Sequence, residues 1–485
     1  MSAVFIIYWH IVQRNLKLQN VFLLLVSYLF YGLWDWRFLI LLLAISIVNY
    51  LIGIRIDIND SKKIRKTWLI LALVLNLGTL GFFKYFNFFT ESFADMVSLI
   101  GYHVSLSTLK IVMPVGISFY IFLSISYILD IYKKTLVAER DIVNVLLSFG
   151  FFPIILSGPI NRPSGLLPQI KSVRRFDLSM VTDGLRQILW GLFVKTVIAD
   201  NISLYADDIF FRYSANTGST LLLGAVFYTI QIYADFSGYS NISIGVGKLL
   251  GFNIVQNFAY PYFARDITEF WKRWHMSLTT WFRDYLFLPV SFSVSWRIKG
   301  VKVLYIKTDL FIYIVASLIT WFLTGLWHGA NYTYIVWGLI NGFFLIVYQC
   351  QRNPRKKILK KYGLNNNNKL IVFSETILTM IIVIIAWIFF RSQSVKDAIN
   401  YLGIIFSSSV FTLPTITSSR LICLTISALT ILFFIAEWIG KNESYAFAWF
   451  CRKKPAFIRW GLYYLLVMLI FFFAGTGQKF IYFQF

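Results

Sequence analysis

A chain of 485 residues, 58% of them hydrophobic and only 14% charged, is too apolar for a soluble protein, where charged residues alone make up roughly a quarter. The net charge of +23 falls in short clusters between apolar runs. That is the pattern of membrane-protein loops; it argues against nucleic acid as a partner and for membrane lipid. Three cysteines, Cys350, Cys423 and Cys451, have neither metal-ligand nor redox spacing, so no disulfide framework and no metal site are expected.

At roughly 20 apolar residues per crossing, spans are predicted near 20–34, 38–54, 68–90, 110–131, 184–200, 221–236, 308–327, 331–350, 370–390, 421–439 and 460–474, about eleven in all. The chain therefore reads as an all-α polytopic membrane protein. The apolar segment Val4–Val12 lacks the features of a secretion signal. It is either interfacial or the remainder of a helix that starts upstream. Basic clusters set the orientation. The loops around Arg55–Lys66, Lys133–Arg140, Arg265–Lys307, Arg352–Lys361 and Arg452–Arg459 are expected in the cytoplasm, and Asn201–Thr220 outside. The run Ile142–Ile160 has basic residues on both sides and contains Pro153 and Gly158-Pro159, so it is expected to be re-entrant, with its broken backbone buried in protein. Ser237-Gly238-Tyr239 is expected to end one crossing and begin an in-plane or buried helix. The Asn365–Asn368 tract reads as a loop without function.

Two of the four histidines, His275 and His328, each follow a tryptophan and are bordered by apolar segments. An imidazole at membrane depth is costly without a partner, so both are functional candidates. Gly325 and Gly329 allow close backbone approach at His328, where a neutral imidazole can serve as general base toward a hydroxyl. The alternative is a buried histidine bonded to a neighbouring carbonyl. Phe270–Pro289 has helical spacing, with Trp271, Trp274 and Leu278 on one side and Lys272, Arg273 and Arg283 reaching headgroups or an anionic ligand. For the basic residues the pattern favours an interfacial amphipathic helix. Asp235 lies inside an apolar stretch, and Asp266, Glu269 and Asp284 surround the His275 segment. Such an acid orients a histidine or pairs with Arg265 or Arg273; the sequence leaves both open. Nucleotide-binding, serine-esterase and zinc motifs are absent from the sequence. His10 and His103 read as structural.

The stretches FWKRWHMSLTTWFRDYLFLP (Phe270–Pro289), LTGLWHGANYTYIVWGLINGFF (Leu323–Phe344) and FIYFQF (Phe480–Phe485), with MPVGISFYIFLSISYILDIY and YADFSGYSNISIGVGKLLGF, resemble the membrane-bound O-acyltransferase superfamily, in particular its bacterial alginate O-acetylation branch. The resemblance spans the whole chain apart from its start. It implies one integral-membrane domain over 1–485, with a core at about 110–350, C-terminal helices over 370–474 and an extracytoplasmic tail over 475–485. It also implies functional histidines at His328 and His275; Asp235, Trp327, Arg273 and Asp284 are the candidate supporting residues by their place in the sequence. No tightly bound cofactor is expected. Acetyl-CoA is the implied donor substrate, an extracytoplasmic SGNH-type acetyltransferase the implied partner and a polysaccharide the acceptor. The implied location is the bacterial cytoplasmic membrane. Tyr482, the one phenol in the terminal hexapeptide, is either an acyl relay or an aromatic-belt residue. Two other functions stay open at this point: D-alanyl transfer toward teichoic acids in a related branch, and a non-catalytic transporter or flippase of lipid-linked glycans.

Overall fold

The computed structural model describes residues 1–101, 109, 111–298, 300–303, 305–416, 419–474 and 478. Among them the chain is almost wholly helical, and its one strand pair is the short antiparallel Lys302–Val303 with Ile306–Lys307. Nine helices in the described residues are long and apolar enough to cross a membrane: Trp36–Ile58, Lys62–Leu99, Leu178–Phe211, Gly218–Leu249, Thr308–His328, Tyr332–Lys361, Lys369–Arg391, Arg420–Gly440 and Ala456–Phe473. The two remaining predicted spans fall on the shorter apolar helices Leu16–Gly32 and Ile117–Tyr132. The protein is a multi-pass membrane protein.

The chain divides into two compact units, Met1–Ile188 with Ser243–Val255, and Leu189–Ile242 with Gln256–Phe485. In the first, one face of the N-terminal segment packs into the protein. Ser2–Ile6 continues into a π-helical turn, Ile7–Ile11, which buries Tyr8 and Trp9 in a core with Leu147, Phe151, Leu250 and Phe252. The Tyr8 hydroxyl donates to the Leu250 carbonyl and Trp9 Nε1 to that of Leu249, both at 2.9 Å. Trp36–Ile58 and Lys62–Leu99 are joined by a reciprocal amide pair, Asn49 with Asn76 at 3.2 and 2.8 Å, the kind of buried polar contact that holds helices together where both faces are apolar. Ile142–Ile160 breaks at Phe151 into the helices Ile142–Gly150 and Phe152–Ile155. Neither is long enough to cross.

In the second unit, Thr308–His328 and Tyr332–Lys361 form a tight antiparallel pair. A Cβ on Gly325 would strike the Tyr334 carbonyl, and one on Gly338 the Trp321 carbonyl. These glycines let two backbones touch. Because the obstacle is backbone, Gly338→Ala is expected to destabilise the protein by about 1–3 kcal/mol, read as a lowered Tm in detergent; an unchanged Tm would contradict the packing.

Two expectations are corrected. Ser237-Gly238-Tyr239 does not interrupt its helix, which runs unbroken from Gly218 to Leu249. Gly238 is there for contact: its Cβ would lie 2.9 Å from the Gly191 carbonyl, and that of Gly191 2.6 Å from the Gly238 carbonyl. The loop predicted from Asn201 is helical as far as Phe211, entered through a π-helical turn at Phe193–Ala199. The Asn365–Asn368 tract is a loop, as expected; the Asn368 side chain caps Lys369–Arg391, and Arg265 donates to Asn366 and Asn367.

Candidate active site

Phe270–Pro289 is not one helix. Asp266 caps Ile267–Arg273 by accepting from the Glu269 amide, the chain then breaks at Trp274–His275, and Met276–Phe282 begins a new helix. His275 sits in the left-handed region at φ 41°, ψ 51°. For a residue with a Cβ this conformation costs about 1–3 kcal/mol and persists only where its surroundings enforce it. Asn257, fully buried, does so. Its carbonyl accepts from the Met276 amide at 2.8 Å, while its side-chain oxygen lies 3.0 Å from His275 Nδ1 and accepts from Ser277 Oγ at 2.8 Å and Ser277 N at 3.3 Å.

That arrangement assigns the tautomer. An oxygen that already accepts from a backbone amide faces Nδ1, so Nδ1 carries the hydrogen and Nε2 the lone pair. Burial pushes the imidazole down to about 3, so the ring is neutral and basic at Nε2. As pH falls, the unfolded chain takes up its proton near about 6.5, before the folded one does. The contribution to stability is whole above that pH and is lost as pH falls toward about 3. Thermal unfolding between about pH 7.5 and 4.5 is therefore expected to show a steeper acid loss for wild type than for His275→Gln. Equal slopes would contradict the neutral assignment.

His328 ends the Thr308–His328 helix, and Gly329 continues in extended backbone. The ring is buried, 4.9 Å from Trp327, 4.8 Å from Trp337 and 5.1 Å from Phe390, each edge to face. Behind it Trp337, Trp387 and Trp274 form a continuous aromatic wall, with centroids 5.7 and 5.0 Å apart. Trp271 is fixed by donating to Asn341 Oδ1 at 3.1 Å. Trp327 lies between the histidines, 6.2 Å from the His275 ring.

His275 and His328 both line one cavity of about 210 Å³. Its walls are Trp271, Trp274, Phe282 and Phe287 with the hydroxyls of Ser317, Thr320 and Thr324, and Lys272 and Arg283 also line it. An apolar cavity with two imidazoles and two cations suits a substrate that joins an apolar arm to an anionic head. Among the described residues no cluster of side chains suited to a metal ion occurs.

Not every candidate gathers here. Arg273 pairs with Glu269 at 2.5 Å, and Asp284 with Arg283 at 2.7 Å; neither lines the cavity. Asp235 pairs with neither arginine considered from the sequence but with Lys195, at 2.6 Å. Tyr482 lies outside the described residues. Asn257 and Lys195 escaped sequence reasoning. Lys195 had one available signal, a cation inside an apolar run.

The sequence profile described as MBOAT, membrane-bound O-acyltransferase family, matches residues 136–390. The probable alginate O-acetylase AlgI of Pseudomonas syringae pv. tomato is 33% identical over 430 residues, 88% of this chain and 78% of the relative. The peptidoglycan O-acetyltransferase of Helicobacter pylori is 30% identical over 416 residues, 80% of this chain and 74% of the relative. The teichoic acid D-alanyltransferase of Bacillus subtilis is 27% identical over 283 residues, 57% and 68%. With two buried histidines on one cavity and this similarity along most of its length, the chain belongs to the membrane-bound O-acyltransferase family and is an acyltransferase.

Proposed function

We propose that this protein takes acetyl from acetyl-CoA at the cytoplasmic face of a bacterial cytoplasmic membrane and passes it outward for O-acetylation of a polysaccharide such as alginate. The observation that carries the reading is the single cavity shared by His275 and His328. The distribution of basic loops supports a cytoplasmic Arg265–Lys307 segment and an outer position for the His328 end of its helix. Lys272 and Arg283, both on the cavity, suit the phosphates of the donor. The O-acetylating relatives favour acetyl over D-alanyl.

In the proposed step His328 takes the proton from a hydroxyl as its oxygen attacks the thioester carbonyl. The C–S bond breaks, the CoA sulfur leaves as thiolate, and the proton is passed on to it. His275, held neutral by burial and oriented by Asn257, accepts through Nε2 on the donor side. Tyr482 is proposed as the hydroxyl that receives acetyl and presents it to an SGNH-type partner outside.

The test is the purified protein in liposomes with radiolabelled acetyl-CoA, beside a D-alanyl thioester of a carrier protein. Consumption of acetyl-CoA with label on the protein or a supplied acceptor supports the reading. Turnover of the D-alanyl thioester alone moves the protein to the alanylating branch, and glycan translocation with neither thioester consumed makes it a flippase.

A further inference from the structure

Within the second unit, Lys195 lies on the π-helical turn Phe193–Ala199, in a bundle too apolar to leave a charge without partners. Its ammonium lies 2.5 Å from Asp200 and 2.6 Å from Asp235, and all three side chains are largely buried. The contact of Gly191 with Gly238 brings the two helices close enough for this to happen. The π-helical turn changes the register between Lys195 and the straight helix beyond it, a distortion that often marks functional positions.

One ammonium between two carboxylates leaves an excess negative charge, and a buried carboxylate needs further donors. The donor is backbone. The Gln478 amide hydrogen-bonds the Asp200 carboxylate, and Lys195 Nζ lies 3.4 Å from the Gln478 carbonyl. Both main-chain groups of one residue are thus held, each by a partner of opposite charge. Next to this, Asn201 Nδ2 donates at 2.9 Å to the carbonyl of Phe473, the last residue of the final helix. The end of the final helix, at Phe473, and Gln478 beyond it are thus both held by one short stretch, Lys195–Asn201.

We propose that the Lys195–Asp200–Asp235 cluster is a dock for the C-terminal segment, with Lys195 and Asp200 as positioning residues that set where the tail begins. The dock reads backbone only, so it fixes the path of the chain whatever side chain stands at 478. It rests on the proposed function solely for what the docked tail then does. Asp235, a supporting candidate from the sequence, acts here through Lys195.

The tail carries its own reporter. Lys479 follows Gln478, so trypsin acting there releases the peptide FIYFQF, which mass spectrometry quantifies from purified protein in detergent. Losing the contacts to Gln478 is expected to raise the release rate about tenfold. Lys195→Met and Asp200→Asn should show it, and Lys195→Arg should restore slow release. Gln478→Pro removes the one amide hydrogen and leaves the cluster intact, so faster release in that variant, at unchanged Tm, cannot come from a misfolded bundle. Wild-type release in both Gln478→Pro and Lys195→Met would overturn the dock. Faster release with undiminished acetyl transfer supports the dock and removes the relay role of Tyr482. Wild-type release with lost transfer overturns the dock and leaves the proposed function standing.

Discussion

Replacing His328 by alanine is expected to lower acyl transfer by at least about 100-fold, the smaller end of what a general base contributes. The imidazole is held between Trp327, Trp337 and Phe390 and lines the cavity with His275, so its removal takes away the group that accepts the proton. The loss should appear in the rate at saturating donor more than in apparent donor affinity, because the base acts in the transition state. His328→Gln keeps most of the volume and a hydrogen-bonding end, which separates proton transfer from packing. Initial rates in proteoliposomes, with Tm measured on the same preparations, check this. A His328→Gln variant within about threefold of wild type would remove the general-base role.

Asn257→Ala is expected to have the largest structural effect at the site. Its side-chain oxygen faces three donors, from His275 and Ser277. Leaving buried donors without an acceptor costs about 1–3 kcal/mol each, and His275 also loses what holds it at positive φ. A loss of about 3 kcal/mol or more is expected, with transfer falling alongside as His275 turns from its orientation. Asn257→Asp keeps an acceptor oxygen and should lose less. Thermal unfolding in detergent measures the first effect and transfer rates the second; wild-type values for Asn257→Ala in both would contradict the account of His275.

The long helices were legible because a bilayer demands unbroken apolar runs, and each predicted span fell on a helix. What the sequence concealed was where chain breaks and partners lie. Gly238 resembled an interruption, yet a glycine inside a buried helix serves close packing as readily as a break, and only its neighbour Gly191 tells which. The break at His275 was hidden for the opposite reason. Trp274 and Met276 continue a helical pattern, and the left-handed turn is imposed by Asn257, eighteen residues away in sequence. Asp235 was visible as a buried acid, whereas its partner required the π-helical turn that places Lys195 opposite it. His275 and His328 were found because histidines are rare here and stand in apolar surroundings; that they share one cavity is a fact of the fold.

The most direct measurement is the O-acetyl content of surface polysaccharide from cells lacking their own copy and carrying wild type, His328→Ala or His275→Ala at equal membrane levels. The account predicts acetate released by alkali from wild-type polymer and almost none from either variant. Wild-type acetate in the His328→Ala cells would contradict it.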